Sequence, residues 1–137
     1  MDDLIADFLA ETSEGLVQLD NDLIDLEKDP NNQGLLGNIF RVMHTIKGTC
    51  GFLGMSRLEK VAHAGENVLG KIRDGECEAT PDVISLVLNV IDIIKMIVER
   101  IEADGKEPEG NDDAIIAKLN AVIAKDQYLQ FSKTLNF

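Results

Sequence analysis

The stretch VISLVLNVIDIIKMIVERI, residues 83–101, is the most hydrophobic of the chain and nearly long enough to cross a bilayer, so its reading separates a membrane span from a bundle helix. Ser85, Asn89, Asp92, Lys95 and Glu99 interrupt it every three or four residues. At 3.6 residues per turn, that spacing paints one polar stripe along a helix whose remaining surface is isoleucine, valine and leucine. The segment is therefore the core helix of a bundle. Thr80-Pro81 supplies an N-cap followed by proline at the first helical position, and Gly105 stops the helix, which places it at about 81–104.

Similar signals punctuate the rest of the chain. A first helix from Asp2 or Asp3 to Lys28 turns Leu4, Ile5, Phe8, Leu9, Leu16, Leu19, Leu23 and Leu26 inward, and Asp29-Pro30-Asn31-Asn32 ends it. A second spans about Gln33 to Leu53 and closes at Gly54. Ser56-Arg57-Leu58-Glu59 has the form of a capping box, with Ser56 accepting from the Glu59 amide, and opens a third helix that stops near Gly75. After the charged linker DGKEPEGNDD, a shorter fifth helix over about 113–124 gathers Ile115, Ile116, Leu119, Val122 and Ile123 on one side. These elements predict an all-α fold: an antiparallel up-down four-helix bundle over about 2–104 with an additional C-terminal helix. Residues 1–125 form the one domain that this length allows, and 126–137 are a tail without a firm period.

Composition narrows the function. A formal charge of −12 leaves no basic stripe for a phosphate backbone, which excludes nucleic acid and disfavours an anionic membrane surface. Cys50 and Cys77 stand without a C-x-x-C partner and read as reduced thiols packed as small apolar groups. The acidic start MDDLIADFLAE lacks the basic flank and apolar block of a signal peptide, which with the reduced thiols leads to the expectation of a cytoplasmic protein without membrane insertion, and without a dimerisation segment a monomer is expected.

Chemistry concentrates in HTIKGTCGFLG, residues 44–54. On a wheel of 100° per residue, Leu35, Ile39, Val42, Ile46 and Leu53 lie within about 40° of the point opposite His44, so the histidine faces away from the core. Gly48 and Gly51 fall within about 40° of His44 itself. A glycine inside a helix costs about 1 kcal/mol relative to alanine, and its use beside a histidine points to clearance for something that approaches the backbone. Lys47 lies on the same flank, one turn on, and Phe40 sits one turn before. In the third helix, His63 and Glu66 share a face; if it flanks the second helix, Glu66 accepts from one ring nitrogen of His44 and makes the other the better nucleophile. From spacing alone, His63 and Glu66 are equally compatible with solvated surface groups. The same holds for Arg41, Lys47, Arg57 and Lys60, which read either as a local site for an acidic partner or as ordinary exposed charges.

These residues resemble a histidine phosphotransfer domain, whose hallmark is H-x-x-K-G in the second helix of a four-helix bundle. The closer likeness is to the N-terminal phosphotransfer domain of CheA-type chemotaxis kinases, carried by HTIKGTCGFLG, by FRVMHTIKG before it and by HAGEN in the next helix, and it covers about residues 1–125. The resemblance implies that His44 receives the γ-phosphoryl group of ATP, that Lys47 neutralises it, and that Glu66 orients the imidazole with His63 in the same polar network. Phe40, Arg41, Gly48 and Gly51 would form the docking surface around His44. The implied partners are a CheA-type kinase catalytic domain and CheY- or CheB-like response regulators.

No glycine-rich phosphate loop follows a strand and no ATP-lid pattern is present, so the chain itself holds no cofactor: ATP and Mg²⁺ would sit in the kinase domain, and Mg²⁺ in the response regulator. As the phosphoacceptor part of a histidine kinase, it would carry phosphate without catalysing its release from ATP. A free-standing relay protein of a multistep phosphorelay is the alternative. Two other classes remain for comparison: a plain helical interaction module, and a metal site at Glu59, His63 and Glu66. The metal reading is disfavoured because bundle metal sites use paired Glu-x-x-His motifs that point inward.

Overall fold

Thr80 accepts a hydrogen bond from the Val83 amide at 3.2 Å and Pro81 follows it, so the most hydrophobic helix begins where its unpaired donors are either capped or missing. The computed structural model describes residues 3–135, with side chains except at 126–130 and 133–134. Five helices make up the secondary structure of the described residues: α1 (Asp3–Lys28), α2 (Gln33–Leu53), α3 (Ser56–Arg73), α4 (Pro81–Asp104) and α5 (Asp113–Leu135). Asn32 caps α2 by accepting from the Leu35 amide at 3.1 Å. Gly54 and Gly105 end α2 and α4 with φ of 75° and 74°, the left-handed conformation that glycine adopts without strain.

The expected all-α bundle is what forms. α1 and α3 each pack on α2 and α4, which closes a square of four helices, and α5 lies outside it against α3 and α4. Ser13 donates to Glu102 at 3.1 Å and Asp20 pairs with Lys95, so α1 and α4 run antiparallel. The core draws on every helix, including Leu19 and Leu26, Ile39 and Met43, Leu58 and Leu69, and Ile91, Ile94 and Ile97, with Leu119 sealing α5. No helix of the described residues is long and apolar enough to cross a membrane.

Three expectations are corrected. The core stripe of α2 is Leu36, Ile39, Met43, Ile46 and Cys50, whereas Leu35, Val42 and Leu53 are only half-buried at its edge. The reason lies on α3: a Cβ at Gly65 would stand 2.6 Å from Met43 Cε and 3.0 Å from Val90 Cγ1, so this glycine makes the room that draws Met43 inward. In the first turn of α1, Leu4 is exposed rather than inward. The fifth helix continues past Ala124 to Leu135. Nothing between 113 and 135 is glycine or proline, so no breaker interrupts it.

The start of α3 is also built differently from the local capping box. Met55 occupies the N-cap and gives no side-chain hydrogen bond. The donors are satisfied from the linker between α4 and α5: Glu107 accepts from the Arg57 amide at 3.0 Å and from the Leu58 amide at 2.8 Å. A carboxylate there meets both the unpaired N–H groups and the positive end of the helix dipole. Arg57 completes the clamp through a two-pronged bond to Asp112, at 2.8 and 3.1 Å, and through the carbonyls of Pro108 and Glu109. Arg57 is therefore committed to the linker and is not part of an open basic surface.

Both cysteines are buried, and neither is in a disulfide. Burial, with help from the nearby charges of Glu107 and Glu59, pushes the Cys50 thiol up to about 12, so it packs as an apolar group and has almost no thiolate character at neutral pH.

The cap assignment separates two substitutions. Glu107→Ala is expected to lower the unfolding free energy by about 0.5–2 kcal/mol, whereas Ser56→Ala leaves it unchanged. Urea unfolding followed by circular dichroism checks this, and a loss on Ser56→Ala alone would restore the local capping box.

Candidate functional site

α2 and α3 lie side by side in antiparallel register, so that Gly51 faces Glu59, His44 faces Glu66 and Phe40 faces Gly70. The close approach follows from the small residues at these crossings. It brings the His44 Nδ1 to 2.9 Å from Glu66 Oε1 while leaving the side chain of His44 62% exposed. Glu66 is only 11% exposed, and its second oxygen, Oε2, stands 2.9 Å from the Lys47 ammonium. That second contact is an ion pair whose geometry lacks the alignment of a hydrogen bond.

Burial pushes the Glu66 carboxyl up, but the hydrogen bond from His44 and the close cation of Lys47 outweigh it and hold the group below the usual glutamate range. An ionised carboxylate can only accept, so the proton of a neutral His44 sits on Nδ1 and the lone pair on Nε2. The outward nitrogen is thus the nucleophilic one. Around it the helix is bare: a Cβ at Gly48 would meet no atom within 4 Å.

Of the candidate residues, His44, Lys47 and Glu66 come together as one charged triplet. Gly51 is exposed, but the space where its Cβ would point is taken by Glu59, whose Oε1 would lie 3.2 Å away, so its role is to let α3 approach. Phe40 is half-buried and does not stand free on a solvent face. Its ring stacks on His44, with centroids 6.1 Å apart and planes 13° from parallel, and the Arg73 guanidinium lies 4.2 Å from its centre. Arg41 is exposed on the α1 side of α2.

His63 is not in the triplet. It is exposed, with no hydrogen bond or ion pair to any described residue, and lines an open groove between α3 and α5 with Glu59, Lys60, Asn67, Asp113 and Asn120. A three-residue step rotates about 60° on a helix, enough to swing it from the α2 side to the α5 side. Among the described residues, no group of three or more His, Cys, Asp and Glu side chains is placed to hold a metal ion.

Two surface features escape the motif. Phe52, one turn beyond Gly48, is 78% exposed, the most exposed large apolar side chain among the described residues. Arg73 reaches back from the far end of α3 onto Phe40. A basic residue in the last turn of a helix is an ordinary dipole partner, so nothing local in the sequence marks it for this position.

A four-helix bundle with one outward imidazole, its inner nitrogen fixed by a carboxylate of the adjoining helix, defines the histidine phosphotransfer class. Residues 3–104 match the model of the Hpt domain family, and the chain belongs to that family. It is 38% identical over 133 residues to the sensor histidine kinase CheAY of Helicobacter pylori and 34% identical over 125 residues to the chemotaxis protein CheA of Halobacterium salinarum. These alignments cover 92% and 89% of this chain but only 17% and 19% of the two relatives.

Among solved structures, the solution structure of the histidine phosphotransfer domain of CheA superposes with a TM-score of 0.80 at 32% identity, covering 88% of this chain and 92% of that one. The phosphorylated P1 domain of CheA3 from R. sphaeroides, solved in complex with CheY6, superposes with a TM-score of 0.82 at 26% identity, covering 91% and 98%.

The charge balance at Glu66 has a measurable sign. Because its folded value is depressed, its pairing contributes stability that is complete above the unfolded value and is lost as pH falls through the folded one. A carbon-13 NMR titration of the Glu66 carboxyl is expected to give a midpoint below the usual glutamate value. Lys47→Met and His44→Leu should each raise it, by removing the cation and the donor that offset burial. A wild-type midpoint above the usual value would mean that burial prevails.

Proposed function

We propose that this chain is a phosphoryl carrier of two-component chemotaxis signalling, in which His44 takes the γ-phosphoryl group of ATP from a CheA-type kinase domain and passes it to an aspartate of a response regulator. The observation that carries the reading is the split environment of one ring, with Nδ1 held at 2.9 Å by Glu66 while the side chain stays 62% exposed beside a bare Gly48. Membership of the Hpt family and likeness to a P1 domain solved with CheY6 support it.

In the forward step the Nε2 lone pair attacks the γ-phosphorus in line, the new N–P bond forms as the bond to the ADP oxygen breaks, and the ring becomes a phosphoimidazolium. Its positive charge develops against the Glu66 carboxylate, which already accepts the Nδ1 proton and needs no reorganisation. Lys47, one helical turn away, supplies a cation on the flank where the phosphoryl oxygens arrive. In the return step a carboxylate oxygen of the response regulator attacks phosphorus, the N–P bond breaks and its electron pair returns to Nε2. Positioning and charge neutralisation do most of the work in such transfers, and ATP and Mg²⁺ belong to the partners. The CheY- or CheB-like class fits as acceptor, because an acidic Mg²⁺ pocket can close over a helix face stripped of side chains at Gly48. The cytoplasm is the compartment that such partners imply.

Incubation with a CheA-type kinase core and labelled MgATP should give acid-labile, alkali-stable phosphate on the wild type and none on His44→Gln; equal labelling of the two would end the proposal. Gly48→Ala separates clearance from folding. No atom obstructs the added methyl, so helix propensity should raise stability by up to about 1 kcal/mol, while transfer to the response regulator slows. A stabilised variant with unchanged transfer would remove Gly48 from the docking surface.

A further inference from the structure

One hydrogen bond anchors one atom of a ring. An N–H···O contact weakens only gradually over tens of degrees of misalignment, so Glu66 alone leaves an imidazole as exposed as that of His44 free to tilt. Tilting swings the Nε2 lone pair, whose direction decides whether an attack on phosphorus is in line. The structure supplies a second restraint, on the face of the ring rather than its edge.

Resting on the phosphotransfer reading of His44, we infer that Phe40 is a positioning residue: clamped between the backbone of Gly70 and the guanidinium of Arg73, it fixes the plane of the imidazole. The two rings are 13° from parallel with centroids 6.1 Å apart. Phe40 is itself held on other sides. A Cβ at Gly70 would lie 3.2 Å from Cε2 and 3.8 Å from Cδ2 of its ring, so the edge of Phe40 rests where α3 has no side chain. Arg73 stands 4.2 Å from the ring centre, and its Nε donates to Asp74 at 3.1 Å, which holds the guanidinium in place.

The arrangement is more specific than packing requires. Apolar burial at this position would be satisfied by leucine and would be indifferent to ring orientation, to a glycine opposite and to a cation above. Here all three coincide on a phenylalanine one turn from the histidine. The imidazole is then restrained at Nδ1 by a carboxylate and on its face by an aromatic ring, and both restraints come from or are backed by α3.

Phosphoramidate tests this without a protein partner, so that docking by Phe40 does not enter. In that reaction the Nε2–P bond forms, the P–N bond of the reagent breaks, ammonia leaves and the Nδ1 proton stays toward Glu66. Phe40→Leu and Arg73→Gln are expected to slow labelling of His44 about two- to tenfold, the range expected for loss of one oriented aromatic contact. They should also raise the share of Nδ1-phosphohistidine seen by phosphorus and proton–nitrogen NMR, and Phe40→Tyr should restore both rate and regiochemistry.

Arg73→Gln leaves the core intact, so it decides the matter even if Phe40→Leu loosens the fold. Wild-type rate and product ratio in a folded Phe40→Leu or Arg73→Gln variant would overturn the clamp. A wild-type chain that takes no label from kinase and MgATP would overturn the carrier reading instead, and the partner-free arms would still decide for or against the clamp.

Discussion

An ionised carboxylate buried in the seam between two helices is tolerated only when cations or donors meet it, and Glu66 sits in such a seam with His44 and Lys47 at 2.9 Å from its two oxygens. That requirement ties the register of α2 and α3 to the chemistry of the site. A slip of one turn toward the start of α2 would leave the carboxylate facing Phe40, away from the donor and the cation that meet it. The small residues along the seam, Gly51, Gly65 and Gly70, let the helices come close enough for the pairing. The ion triplet and the packing therefore select the same alignment, which is the agreement between local and global preference that makes a fold well defined.

The triplet also gives one imidazole two different sides. Toward α3 the ring meets a fixed negative charge, and toward solvent it meets bare backbone. A carrier needs both, since it must stabilise the cation formed on receiving phosphate and then present that phosphate to a second protein. The surrounding charge of −12 leaves the local ammonium of Lys47 as a contrast against an acidic background.

Much of this is legible in the sequence because the signals are local. Thr80-Pro81, Gly54 and Gly105 mark helix ends where they occur, and the spacing from His44 to Gly48 places both on one helix face. The pairing of His44 with Glu66 is legible at one remove, since a short connection between α2 and α3 makes their flanks meet. What is not legible depends on residues far away in the chain. The place of Met43 rather than Val42 in the core stripe is decided by Gly65 on another helix, whereas the wheel of α2 alone favours Val42. The side taken by His63 depends on where α5 docks. Arg73 and Phe40 are linked only once α2 and α3 are aligned.

The capping of α3 extends this point to the domain's outline. The family match closes at residue 104, yet the carboxylate seated on the first turn of α3 belongs to Glu107, and the guanidinium beside it is anchored by Asp112. The helix that holds Glu66 thus starts from an anion outside the shared bundle. The helix seam depends on residues past the bundle, and a cut placed at residue 104 would leave the helix that carries Glu66 without its cap.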